Sequence, residues 1–300
     1  KKKHVEYKFD SNKGYPREGP PNVVNIEMGE EIKVCSFNIQ GASTKKCLAK
    51  YTLLLDYAMH KNHKYDIVMI QETKSTSITH ILDHIKKDPK FYKVRVEEAI
   101  NTTNSRKGGV AFLILNPKLD YSNVKRGDED WTSFLNTQEE KDEIPNDNIL
   151  GKWISIDVKI KLLQDPITLI NIYAPSKDWT NNELFFKAHK DKWTHCSNKV
   201  FGGDWNNVED PDIDRIRLPP SNNDIQNDDN RPHFTAFLAQ HNIVDTLLVH
   251  QDESSSATLP MTHKATNHKL FSRLDRFYHE TTLDALFLQD RQIDVCTTYK

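Results

Sequence analysis

The chain has 300 residues, 37% of them hydrophobic and 28% charged, with a formal net charge of −2. It is long enough for one large domain or two small ones, and it can build a core. It has no run of 18 apolar residues, which excludes a transmembrane helix, and binding to a polyanion would need local basic patches rather than a global field.

Residues 1–30 are polar and carry Gly14, Pro16, Gly19, Pro20 and Pro21, which reads as a poorly ordered leader. The start, Lys1-Lys2-Lys3-His4, has neither Met nor an apolar signal region and reads as a fragment boundary. A first strand runs from Ile32 to Phe37 and ends at Asn38-Ile39-Gln40-Gly41. Leu48, Tyr51, Leu55, Ala58 and Met59 form a helical stripe over 47–61. A buried-type strand, 67–70, ends at Gln71-Glu72-Thr73, and Ile78, Ile81, Leu82 and Ile85 mark a second helix.

Gly108-Gly109 opens a strand over 110–115. The polar, acidic stretch 120–150 reads as a surface loop. Residues 153–160 alternate, with Ile154, Ile156, Val158 and Ile160 on one face. They predict an antiparallel hairpin with 167–173, which ends at Tyr173-Ala174-Pro175. A helix over 182–193 leads to Phe201-Gly202-Gly203-Asp204-Trp205-Asn206, where the glycines permit a tight turn and close approach. A helix over 234–241, a brief strand at 243–244 and a last strand over 271–278 complete the pattern. Cys35, Cys47, Cys196 and Cys296 lie far apart and form no zinc-like pair, which suits a reduced intracellular protein. Interleaved helices and strands without a composition break predict one α/β domain with sheet-on-sheet packing and helices outside.

Polar groups recur where predicted strands end: Asn38, Glu72, Tyr173, and Asp204 with Asn206. Asp275 lies in the last strand between Arg273 and Arg276. Each has a plain alternative. Asn38 can shape a turn, Glu72 can cap the following helix, Tyr173 can be a core aromatic, and Asp275 can be a surface ion pair. Asp204 with Asn206 can satisfy its own backbone as an Asx turn. Together they are acid, amide and phenol groups at strand ends, which one rim of a sheet can bring together although they lie far apart in sequence.

Five ordered stretches carry a resemblance: Ser36 to Gly41, Gln71-Glu72-Thr73, Asn171 to Pro175, Gly203 to Asn206, and Ser272-Arg273-Leu274-Asp275-Arg276. Over residues 30–300 they resemble the endonuclease/exonuclease/phosphatase superfamily, which includes DNase I and the apurinic endonucleases. Gly108-Gly109-Val110-Ala111, the Tyr-Ala-Pro segment and the run from Gly202 through Asp214-Arg215 look most like the endonuclease domains of LINE-type retrotransposons. The resemblance implies a four-layer α/β sandwich, two packed mixed sheets flanked by helices. It implies an intracellular, nuclear Mg²⁺- or Mn²⁺-dependent nuclease that nicks DNA and is fused to a reverse transcriptase. By resemblance, Glu72 is the principal metal ligand with Asn38 beside it, and Asp204 orients or deprotonates the attacking water. Asn206 holds a phosphate oxygen, Tyr173 contacts the phosphate, and Asp275 orients a catalytic histidine. Ser176, Thr258, Lys264 and Lys269 would contact DNA, the last three from a basic loop beside the site.

The family's Ser-Asp-His motif, which follows the Asp275 strand and supplies that histidine, does not occur in these 300 residues. This implies either truncation before the motif, with impaired activity, or a catalytically inactive nucleic-acid-binding module. An apurinic repair nuclease and a lipid or inositol phosphatase are the alternatives within the same fold.

Overall fold

Alternating and all-apolar runs build two large sheets, as seen in a computed structural model. It describes residues 22–26, 32–41, 45–77, 79–102, 108–127, 130–142, 150–160, 163–175, 179–209, 214–217, 231–249, 263–264, 270–272 and 274–286.

The first sheet is built from Asn22–Ile26 (β1), Ile32–Asn38 (β2), Ile67–Gln71 (β3), Arg95–Ala99 (β4) and Val110–Ile114 (β5), in the order β1-β2-β3-β5-β4. Helices Lys45–Ala58 (α1) and His80–Ile85 (α2) belong to this half. The second sheet adds Tyr121–Arg126 (β6), Trp153–Val158 (β7), Ile167–Tyr173 (β8) and Lys199–Asp204 (β9). Between these strands lie the short helix Gln138–Asp142 (α3) and the helix Trp179–His189 (α4). After β9 come Arg215–Arg217 (β10), Pro232–His241 (α5), Ile243–Asp245 (β11) and Thr246–Val249 (α6). His263–Lys264 (β12), Leu270–Ser272 (β13) and Asp275–Glu280 (β14) follow. The second sheet has the order β11-β14-β9-β8-β7-β6, and β10-β13-β12 form a small third sheet.

Both large sheets are mixed. Among the described residues, β2–β3 is the parallel pair of the first and β8–β9 that of the second. The two sheets face each other across an apolar interior that includes Val34, Ile67, Phe112, Ile156 and Leu169. Outside the first sheet, Tyr51, Leu54 and Leu55 of α1 pack on Cys35, Val68 and Ile70. Outside the second, Phe185 and Phe186 of α4 join Trp193, Phe201, Trp205 and Phe237. Helix, sheet, sheet and helix make the expected four-layer sandwich. No helix among the described residues is long and apolar enough to cross a membrane.

The structure corrects several expectations. Residues 22–26, expected in a disordered leader, form edge strand β1 against β2, because Val23, Val24 and Ile26 give a short β-branched run. The stretch expected as a loop over 120–150 contains β6, the short helix α3 and a 3₁₀ turn, Trp131–Phe134. Trp131 and Leu135 anchor that segment in the aromatic cluster, so two apolar residues outweigh its acidic composition. The single strand expected over 271–278 is two strands in different sheets, β13 and β14. The helix expected over 182–193 spans Trp179–His189 instead. Strands β4 and β6 carry charged residues at alternating or edge positions, which hid them from periodicity. Ile78 lies outside the described residues.

Gly202 and Gly203 let the sheets close over β9. A Cβ on Gly202 would lie 2.5 Å from Phe277 and 2.7 Å from the Met69 sulfur, which belongs to the opposite sheet. Gly203 has φ +138°, and a Cβ there would lie 2.0 Å from the Ile172 carbonyl oxygen.

Candidate active site

The carboxyl ends of the two parallel pairs meet at one edge of the sandwich. Asn38 ends β2, Glu72 follows β3, Tyr173 ends β8 and Asp204 ends β9. The Asn38 Nδ2 amide donates to Glu72 Oε1 at 3.1 Å and to Asp204 Oδ2 at 2.7 Å. One side chain therefore ties a carboxylate of the first sheet to a carboxylate of the second. Asn38 Oδ1 accepts from the Gln40 backbone N–H at 2.9 Å, so in this arrangement Asn38 spaces the two acids through its N–H group.

Glu72 has φ 55°, a left-handed backbone that costs a non-glycine residue about 1–2 kcal/mol. Backbone bonds hold it there: Gly41 N–H donates to the Glu72 carbonyl at 2.8 Å, and Thr73 and Lys74 N–H donate to Gly109 and Gly108, both at 3.0 Å. The Gly108-Gly109 pair thus serves as a template for the Glu72 turn. The Glu72 carboxylate pairs with Lys74 at 2.9 Å and accepts from the Tyr173 hydroxyl. Burial raises its pKa, but Lys74, Asn38 and Tyr173 together bring it below the usual carboxylate value.

Asp204 is buried, and its carboxyl is pushed up to about 6. Burial is the main cause and the Glu72 charge adds to it, while the Asn38 and Asn206 hydrogen bonds and the Lys152 charge oppose it. Asn206 N–H donates to Asp204 Oδ1 at 3.0 Å, and Asn206 Nδ2 donates to the Ala174 carbonyl at 2.9 Å. Asn206 has φ 45°, which asparagine tolerates better than most residues. Asp275 sits opposite Asp204 in the β14–β9 register.

Three contributors had little sequence signature. Lys74 lies two residues after Glu72. Buried Lys152 lies just before β7, with its ammonium 4.5 Å from the Tyr173 ring centroid. A lysine at the head of an apolar strand is the clue that could have found it. Asn182 of α4 donates to the Pro175 and Trp205 carbonyls at 3.1 and 3.0 Å and accepts from Asn207 at 2.8 Å. It thereby latches the loops after β8 and β9 to one helix.

The DNA-contact expectations fall elsewhere. Ser176, Thr258 and Lys269 lie outside the described residues. Lys264 is placed in β12 of the small third sheet, opposite Phe271, and its side chain lies outside them too.

The sequence matches the model of the endonuclease/exonuclease/phosphatase family over residues 35–288, and the chain belongs to that family. No curated protein sequence matches it. Among solved structures it is similar to an AP endonuclease from Archaeoglobus fulgidus, with a TM-score of 0.54 at 17% identity, covering 84% of this chain and 87% of that one. The catalytic domain of Xenopus laevis APE2 gives 0.55 at 15% identity, covering 83% and 82%. Truncated Caenorhabditis elegans TDP2 gives 0.51 at 16% identity, covering 84% of each chain. At these identities the likeness shows the shared fold.

Proposed function

We propose that this chain is a divalent-metal-dependent phosphodiesterase that nicks DNA. The observation that carries the reading is the Asn38 amide held between Glu72 and Asp204. Two carboxylates gathered from different sheets around one amide, one of them buried, form an oxygen donor set that can take a cation in place of the Lys74 ammonium now paired with Glu72. The donors are hard oxygens, few in number and partly open, which suits Mg²⁺ or Mn²⁺ with retained waters. Glu72 would hold such an ion, which when bound supplies charge neutralisation at the phosphoryl oxygens.

The remaining roles belong to side chains. Asp204, with its oxygens oriented by Asn206 and Asn38, accepts the proton of the water that attacks phosphorus. The Tyr173 hydroxyl, polarised by Lys152 over its ring, faces the phosphate, and the bond to the 3′ oxygen breaks as that oxygen takes up a proton. Asp275, beside Asp204, would orient a histidine that makes this proton available. The test of the metal reading is calorimetric: Glu72→Gln should bind Mn²⁺ much more weakly than wild type, and unchanged affinity would reject the site. A chain extended by a Ser-Asp-His motif should nick supercoiled plasmid about 10²–10⁴-fold faster than the 300-residue chain, and equal rates would remove Asp275 from the mechanism.

The finer reading is a nicking domain of a LINE-type retroelement. It rests on Gly108-Gly109-Val110-Ala111, Tyr173-Ala174-Pro175 and Asp214-Arg215. A downstream frame encoding a reverse transcriptase supports it, and a stop after Ser-Asp-His favours a repair nuclease or phosphatase. In this reading Lys264 and Lys269 add salt-sensitive phosphate affinity with Ser176 and Thr258. The variant Lys264→Ala/Lys269→Ala should flatten the salt dependence of DNA binding, and an unchanged slope counts against the loop.

A further inference from the structure

The interior between the sheets changes character along its length. Away from the site it is apolar: Val34, Ile67, Met69, Phe112 and Leu169 fill it. One layer below Asn38, Glu72 and Tyr173 it turns polar, at Ser36, Gln71 and Asn171. Gln71 and Asn171 are completely buried and Ser36 nearly so. Gln71 Nε2 donates to Asn171 Oδ1 at 2.7 Å and to Ser36 Oγ at 3.0 Å. Asn171 Nδ2 donates to the Ile70 and Ala111 carbonyls at 3.0 and 2.9 Å. Gln71 is the last residue of β3 and Asn171 lies in β8, so the Gln71–Asn171 bond and the bonds from Asn171 to Ile70 and Ala111 cross from one sheet to the other, while Ser36 braces Gln71 within the first.

Such a layer is expensive. Among the described residues Gln71 Oε1 is buried without a hydrogen-bond partner, and each buried polar group forfeits hydration that an aliphatic residue would not need. Apolar side chains on both sheets would hold the layers together at lower cost, but they slide and repack with little directional preference. Amide pairs fix distance and register. Glu72 follows Gln71 directly, and Tyr173 stands two residues beyond Asn171 on the same face of β8.

We propose that Gln71 and Asn171 are positioning residues, a cross-sheet clamp that sets the separation between Glu72 and the pair Tyr173–Asp204. The clamp fixes how the Asn38 amide spans the two carboxylates, and through it the affinity for a divalent ion. The metal part of this inference rests on the site reading above; the geometric part does not.

The test uses the 300-residue chain as wild type, Asn171→Leu, Gln71→Met and the double variant, with Glu72→Gln as control. Mn²⁺ is titrated calorimetrically without substrate. In parallel, hydrogen exchange of the Asn38 side-chain amide is followed by NMR without metal, its resonance assigned with Asn38→Asp. The clamp predicts a 10–100-fold weaker Mn²⁺ affinity in Asn171→Leu, the range for residues that orient a metal ligand. It predicts the same or less additional loss in the double variant, because both substitutions break one unit. It also predicts faster exchange of the Asn38 amide in folded Asn171→Leu. A purely structural role would lower the melting temperature but leave both readouts unchanged in the folded protein, and that result overturns the clamp. If wild type and Glu72→Gln bind Mn²⁺ alike, the metal reading falls, and the Asn38 exchange rates alone decide the clamp. If Asn171→Leu does not fold, Gln71→Met carries both measurements.

Discussion

In the first sheet the parallel pair β2–β3 carries Asn38 and Glu72 to the site beneath helix α1; in the second, β8–β9 carries Tyr173 and Asp204 beneath helix α4. The two strand–helix–strand units deliver their carboxyl ends to the same edge, but their outer layers differ. The layer under α1 is mostly aliphatic and encloses a buried acid, Glu98. The layer under α4 is aromatic and encloses two buried histidines, His189 and His241. The ends of parallel strands make the site, while the outer layers decide how each half responds to substitution and to pH.

The largest expected effect tests the shared edge. Asp204→Asn keeps shape and burial but removes the proposed proton acceptor, and on that reading should slow plasmid nicking about 10²–10⁴-fold. Its melting temperature should stay near wild type or rise, since Asp204 is buried at a desolvation cost. A nicking rate within a few-fold of wild type would move the base elsewhere.

Truncations of the two outer layers should separate them. Trp205 stacks parallel to Phe186 at 5.8 Å, meets Tyr278 edge-on at 4.6 Å and donates its indole N–H to the Arg276 carbonyl at 3.2 Å. Trp205→Ala should cost about 3–5 kcal/mol and Leu55→Ala about 2–5 kcal/mol, measured by urea unfolding. The sharper difference is functional. Trp205 adjoins Asp204 in the chain, so its loss should also slow the folded enzyme, whereas Leu55→Ala should leave the rate per folded molecule unchanged. Equal kinetic effects would show that the aromatic layer has no special hold on the site.

The histidines set the acid side of the comparison. Burial lowers His189 to about 3, and the His189 Nδ1–H donates to the Phe185 carbonyl at 2.8 Å. Burial, and then the Lys199 charge, lower His241 to about 4. A histidine whose folded value lies below its unfolded value of about 6.5 gives stability that is complete above that value. It is lost as pH falls toward the folded value, by up to about 1.4 kcal/mol per pH unit for each group. Urea midpoints should therefore fall between pH 6.5 and 4, and His189→Phe should flatten that slope. An unchanged slope would place the acid sensitivity outside the aromatic layer.

What the sequence revealed of this architecture follows from its physics. Asn38, Glu72, Tyr173, Asp204 and Asn206 were legible because they interrupt apolar runs where strands end, and that position is itself encoded in the periodicity. The two β-α-β units were legible for the same reason. Strands β4 and β6 were not, because Arg95, Glu97, Lys125 and Arg126 break their apolar pattern, and partners such as the Arg126–Glu97 pair at 2.5 Å join strands far apart in sequence. Trp131 was invisible as a core residue because its neighbours are acidic and its partners, Phe185 and His189, lie more than fifty residues away. Lys74 was missed because a lysine near a carboxylate is ordinary on a surface, and Lys152 because only the fold shows it buried against the Tyr173 ring.

The smallest expected effect concerns Glu98, the first sheet's counterpart to the histidines. It lies on β4 with the Thr73 and Ser75 hydroxyls near its carboxyl, although among the described residues neither carboxylate oxygen has a partner with hydrogen-bond geometry. Burial pushes the group up to about 8, and the two hydroxyls draw it only part of the way back. The folded protein therefore holds a proton there that the unfolded chain releases near pH 4.5. The stability linked to that proton is complete below about pH 4.5 and is lost as pH rises toward and through 8, the reverse of the aromatic half. Glu98→Gln keeps the shape of the neutral acid and cannot ionise. It should lie at or somewhat below wild type at pH 4, where a buried amide replaces the neutral acid, and exceed it at pH 8, where wild type has lost the stability linked to its proton. Thr73 and Ser75 belong to the turn that holds Glu72, so the same substitution should extend Mn²⁺ binding to higher pH. A stability curve for Glu98→Gln parallel to wild type from pH 4 to 8 would show that Glu98 is already ionised in the folded chain, and the two halves would then differ in their aromatic content alone.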